Sequence, residues 1–197
     1  SQDFQLTIKT AINYAQKQNR DCISVEDILV SLSENNKDFE KNIRAEFEKR
    51  NVEPSRIIFA GRVDSMGDYL ARYRLADLFL DTHPYGAHTT AIDCLKAGVP
   101  VLTLIGQSFA SRVAASLLNS IGLPELIAHS PEEYERLAID LATLPNKIEA
   151  EKFKLANNLQ DTPLFKTSLF TKNLESIYLK MYERYKLGLH PDHLSLD

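Results

Sequence analysis

His88, Thr89 and Thr90 stand consecutively in the chain, with Asp93 one helical turn further on. Two hydroxyls, an imidazole and the free backbone N–H groups of an opening helix form a site for an anion, with phosphate the foremost candidate. The plainer reading makes Thr89 or Thr90 a helix cap and His88 a loop residue. Asp93 faces the same side as Thr89 and Thr90, where a carboxylate is suited to accept hydrogen bonds from ribose hydroxyls. Its plainer role is that of a charge near the helix start. His83, His88 and Asp93 do not have tight metal-ligand spacing, since Pro84 and Gly86 interrupt them, and no metal site is expected. Gly106-Gln107-Ser108-Phe109-Ala110 approaches a nucleophile elbow, with Asp140 or Asp161 and His190 as formal partners. Ala110 stands where the second glycine belongs, so Ser108 reads as a helix N-cap. No GxGxxG or GxxxxGK[ST] pattern occurs, which argues against dinucleotide and P-loop chemistry.

The elements around the triplet read as a βαβ unit. The apolar run Leu78–Leu80 leads into a glycine-containing loop, and the amphipathic stretch from His88 ends at Gly98. Val99–Ile105 is a second apolar run. In parallel sheets, ligands sit beyond the carboxyl ends of the strands. Upstream, 37–51 has the pattern of a charged helix ended near Pro54. Arg56–Ala60 (RIIFA) reads as a strand, and Met66–Arg74 as a helix. Downstream, a helix is expected from about Phe109 to Ser120, and Leu126–Ala128 as a short edge strand. Ser130-Pro131-Glu132-Glu133 carries cap, N1 proline and acidic first turn of another helix. Asn146–Leu159 and Ser168–Gly188 are two more. Before residue 35, Phe4–Gln18 has helical spacing. For Ser24–Leu32 the spacing favours a helix with a capping box, while a strand at Ile28–Leu32 is the competing reading.

Composition sets outer bounds. The 197 residues are 44% hydrophobic and 25% charged, with a net charge of −4. That balance suits an ordinary globular protein and disfavours nucleic acid or an acidic membrane surface as partner. No apolar run approaches a membrane span, and the start SQDFQLTIK lacks the pattern of a secretory signal. Cys22 and Cys94 are far apart, with no CxxC, so a reducing cytoplasm is the expected setting.

The motifs RLADLFLDT, AHTTAxD, AGVPVLT and SRVAASLL, followed by TPLF (Thr162–Phe165) and PDH (Pro191–His193), carry a family resemblance. In their order and spacing they resemble the C-terminal half of the O-linked N-acetylglucosamine (O-GlcNAc) transferase family, over about residues 35–193. The resemblance implies a GT-B fold and inverting, metal-independent transfer of GlcNAc from UDP-GlcNAc to Ser/Thr of proteins. It implies that His88, Thr89 and Thr90 hold the diphosphate and Asp93 the ribose. It places Arg72 near the nucleotide and a Val63 backbone contact at the base. Tyr69 stands where the family has His, keeping a ring that can stack on uracil. Lys96 replaces a Trp common in bacterial members, and Gly86 an Asn.

The expected architecture is α/β: a Rossmann-like parallel sheet layer with additional N-terminal helices. Its divisions are a helical segment at 1–34, outside the resemblance, and a nucleotide-sugar-binding domain at 35–197. The general base and acceptor groove are expected upstream, so the catalytic residues are not assigned and this stretch alone is expected to be inactive. A UDP-sugar is the expected partner, with a protein acceptor for a full-length enzyme. The other reading is a non-catalytic, degenerate interaction or dimerisation module acting as a homodimer.

Overall fold

The computed structural model describes residues 37–61 and 63–196. The expectations for Phe4–Gln18 and Ser24–Leu32, and the division at residue 34, lie outside the described residues. Helix α1 (Lys37–Glu48) buries Ile43 and Phe47. A 3₁₀ turn at Pro54–Arg56 follows, and the Arg44 guanidinium donates to the Pro54 carbonyl at 2.8 Å. The segment after that turn corrects the expected RIIFA strand. Ile57 has extended dihedrals and a buried side chain, but 57–60 forms no ladder with any described strand. β-propensity supplies the conformation, whereas a strand also requires a neighbour to receive its backbone hydrogen bonds.

Helix α2 (Met66–Tyr73) starts at Ser65, whose hydroxyl accepts from the Asp68 amide. Strand β1 (Phe79–Leu80), helix α3 (Thr89–Ala97) and strand β2 (Val101–Leu104) then form the expected parallel βαβ unit. Gly98 ends α3 at φ 86°, a left-handed cap for which glycine carries no Cβ penalty. Strand β3 (Ile127–Ala128) pairs parallel to β2, giving the order β1-β2-β3. All four side chains of β2 are buried, as befits a central strand covered by helices.

The helix expected from Phe109 to Ser120 is two pieces: a 3₁₀ turn at Phe109–Ser111 and α4 (Val113–Ser120). Arg112 separates them, and its guanidinium donates to the Gly106 carbonyl at 3.0 Å. Helix α5 (Pro131–Thr143) has the expected Ser130 cap, which accepts from the Glu133 amide. Helices α3, α4 and α5 all pack against β2. Cys94 of α3 is fully buried in this core.

Helix α6 (Pro145–Asp161) follows, and its charged side is more than solvated surface. Lys152 reaches Asp77, just before β1, at 2.5 Å, and Lys154 pairs with Glu125. Helix α7 (Thr167–Lys186) buries none of its side chains and leaves Phe170, Tyr178, Leu179, Tyr182 and Tyr185 exposed. No helix among the described residues is long and apolar enough to cross a membrane.

Candidate functional site

The loop between β1 and α3 opens at the carboxyl edge of the sheet, and Asp81 is its root. This carboxylate is 1% exposed, yet three donors from two elements converge on it. Thr82 N–H (2.9 Å) and Ala87 N–H (2.6 Å) donate to Oδ1, and the Thr103 hydroxyl of β2 donates to Oδ2 at 2.7 Å. The Asp81 carbonyl accepts from the Tyr134 hydroxyl of α5 at 2.8 Å. Burial pushes the Asp81 carboxyl up to about 6, against the pull of those donors and of nearby His88. Gly86 lies against the same carboxylate: a Cβ there would stand 2.9 Å from Oδ2 and 3.1 Å from the Ala110 carbonyl. The Asn expected at that position by family pattern would therefore require the loop to move.

The loop delivers His88 to the N-cap of α3. Its ring stacks on Tyr85 (centroids 5.5 Å apart, planes 20° apart) and meets the edge of Phe109 at 5.8 Å. Nε2 lies 3.4 Å from the Ala110 carbonyl, which only accepts, so this nitrogen carries the hydrogen in that contact. Thr89 and Thr90 are the first two residues of the helix, exposed and half-buried respectively. At that position their amides, with that of Ala91, have no intrahelical acceptor. Asp93 is half-buried one turn further.

The other candidates form a second group. The Arg72 guanidinium donates to the Gly61 carbonyl at 2.8 Å, tying α2 to the segment that carries half-buried Val63. Tyr69 shares a 2.6 Å hydroxyl contact with Tyr73, their rings meeting edge to face at 5.2 Å. Helix α2 packs on α3. The Tyr73 hydroxyl is pushed upward by burial, then by Tyr69, with Cys94 and Asp93 among the smaller contributors, so it stands between the two groups. Lys96 does not leave a hole in place of an aromatic residue: its ammonium stands 5.6 Å from the Phe165 ring centroid.

The elbow-like turn is a different device. Ser108 pairs with Ser111 (hydroxyls 3.0 Å apart), and the Ser111 hydroxyl donates to the Ser108 carbonyl at 2.9 Å, with no histidine in the pair. Among the described residues no cluster of three His, Cys, Asp or Glu side chains could hold a metal ion.

Sequence reasoning missed Asp81 and Tyr134. The signal for Asp81 was a carboxylate directly after an all-apolar strand, where a buried charge needs convergent donors. Tyr134 gave no comparable signal, because an aromatic at helical spacing reads as core.

A parallel sheet whose first crossover helix opens at the carboxyl edge, reached through a buried-carboxylate loop, is a Rossmann-like layer. The family model described as glycosyl transferase family 41 matches residues 24–174, and the chain belongs to that family. It is 34% identical over 156 residues to a Caenorhabditis elegans UDP-N-acetylglucosamine–peptide N-acetylglucosaminyltransferase, covering 79% of this chain and 14% of that protein. Its structure is similar to that of a Thermobaculum terrenum O-GlcNAc transferase mutant, K341M, with a TM-score of 0.75 and 29% identity. That likeness covers 90% of this chain and 33% of the other. The chain thus spans about a seventh of the curated relative's length.

Proposed function

We propose that this chain forms the UDP-sugar-binding part of a protein O-GlcNAc-type glycosyltransferase. In this reading the donor diphosphate sits before α3, held by the Thr89 and Thr90 hydroxyls, the free amides of the first turn and His88. Asp93 accepts from the ribose hydroxyls, while Tyr69, Arg72 and the Val63 backbone form the base end. The reaction moves GlcNAc from UDP-GlcNAc to a Ser/Thr hydroxyl of a protein with inversion. As the glycosidic bond breaks, negative charge grows on the departing diphosphate, and fixed donors at a helix N-terminus favour that state without a metal. The general base and acceptor groove belong to the rest of a larger catalytic unit, so this stretch alone transfers nothing. A cytoplasmic, reducing setting is part of the reading, in keeping with two cysteines far apart in the sequence and no CxxC.

The observation that carries the proposal is the position of Thr89 and Thr90 at the open start of α3, rather than in mid-helix under other side chains. The larger unit is supported by the relative's length and by α7, whose exposed aromatic and aliphatic side chains are a surface for further protein to cover. The same helix favours the second reading, a non-catalytic interaction or dimerisation module. Calorimetry with UDP separates the two. Saturable binding that falls at least roughly tenfold in Thr89→Ala/Thr90→Ala supports the donor site, that being the scale of losing charge-assisted hydrogen bonds. No heat at millimolar UDP, together with a concentration-dependent dimer in light scattering, overturns it.

A further inference from the structure

We infer that Asp81 is a positioning residue of the donor site, clamping the Thr82–Ala87 loop so that His88 and the first amides of α3 face the diphosphate. The inference deepens the function proposed above and rests on it for the identity of the ligand. Its own basis is geometric. One oxygen, Oδ1, accepts from both ends of the loop, Thr82 N–H at 2.9 Å and Ala87 N–H at 2.6 Å, and so sets the span between them. The other oxygen is tied to the sheet through the Thr103 hydroxyl at 2.7 Å. Ala87 is the residue before the N-cap, so fixing its amide fixes the direction in which the chain enters α3. Gly86 lets the loop backbone lie directly on the carboxylate, with no room for a Cβ. These contacts join the loop to the end of β1 and to β2, and Asp81 itself is buried.

The clamp depends on acceptors and donors, not on the negative charge. An amide at this position presents an oxygen to the two N–H groups and an NH₂ to the Thr103 hydroxyl, which then turns to accept. Methyl or hydrogen in place of the carboxyl presents neither. The titratable groups that face Asp81 are His88 at the loop's end and Tyr134 on α5, whose hydroxyl bonds the Asp81 backbone carbonyl rather than its carboxyl.

The test compares Asp81→Asn, Asp81→Ala and Thr103→Val in the 197-residue chain, with amide hydrogen exchange and UDP titration read on each. In Asp81→Ala, exchange at the hydrogen-bonded amides of Gly86, Ala87 and Ile92 rises at least about tenfold relative to the α5 amides, and UDP affinity falls by a similar factor. In Asp81→Asn both stay within about threefold of the natural chain. A uniform rise across the molecule, or failure of Asn to restore what Ala loses, overturns the clamp. If Asp81→Ala does not fold, Thr103→Val carries the test, with the same selective change by a smaller factor; unchanged exchange there overturns it. If the natural chain shows no saturable UDP binding, the donor-site reading fails separately, and the exchange pattern alone decides the clamp.

Discussion

The Tyr134 hydroxyl donates to the Asp81 carbonyl at 2.8 Å across 53 residues of chain, joining α5 to the end of β1 with both partners buried. The bond supports the very residue from which the α3 entrance loop hangs. Tyr134→Phe keeps the ring and removes the donor from a buried carbonyl, which costs on the order of 1 kcal/mol. Urea unfolding should show a lower midpoint at unchanged slope, because neither compactness nor packing volume changes.

Stability should fall as pH rises through the range in which Asp81 ionises. Burial raises this carboxyl from its ordinary 3.8 to about 6, so between those values the folded chain holds a proton that the unfolded chain has lost. The contribution is fully present below 3.8 and is lost as pH climbs through about 6. Its size is about 3 kcal/mol at most, from roughly two pKa units at 1.36 kcal/mol each. Asp81→Asn removes that slope. Thermal melts at about pH 4.5 and about pH 7.5 should show the variant's stability changing less between them than the natural chain's, with its advantage at the higher pH.

Glu151 supplies a second pH dependence of the same sign. Burial, and then the neighbouring Glu125 carboxylate, push it from 4.5 up to about 7, and its Oε2 is buried with no donor. A proton on Glu151 relieves both the repulsion and the missing donor. Stability from this group is present below 4.5 and is lost as pH rises through about 7. Glu151→Gln should raise the melting temperature above about pH 7.5 and leave it nearly unchanged near pH 4.5, while Glu125→Gln should bring the Glu151 titration down, read by carboxyl NMR.

Two glycines separate steric from conformational cost. A Cβ on Gly106 would stand 2.8 Å from the Ser111 Cβ and 3.0 Å from His83 Cε1, so Gly106→Ala forces the turn apart at roughly 1–3 kcal/mol. Gly98 has open space around it but φ +86°, so Gly98→Ala should cost about 1 kcal/mol through backbone strain alone. Denaturation of both variants checks the order. Only Gly106→Ala should also shift the NMR signals of Ser108 and Ser111.

The βαβ unit was legible because its signals are local: apolar runs of strand length, a helical stripe between them, and Gly98 as a stop. The Ser130 cap with Pro131 was legible for the same reason. The strand expected at Arg56–Ala60 was not realised among the described residues, since pairing is a property of two segments and a propensity describes one. The break at Arg112 was hidden as well. It depends on a guanidinium reaching back six residues to Gly106, and helical periodicity cannot register such a contact. At the candidate site the place of His88, Thr89 and Thr90 at the start of α3 could be read from residue types and spacing. The support beneath it could not, because the Asp81–Thr103 and Asp81–Tyr134 bonds close over 22 and 53 residues.

Cys94 gives this fold an internal clock. Its sulfur is sealed from solvent within the same helix whose first turn carries Thr89 and Thr90. A thiol-directed reagent can therefore reach it only when α3 lifts from the sheet. With Cys22→Ser removing the other thiol, the alkylation rate of Cys94 reports how often that helix lets go, and a nucleotide seated at its tip should slow the rate in proportion to occupancy.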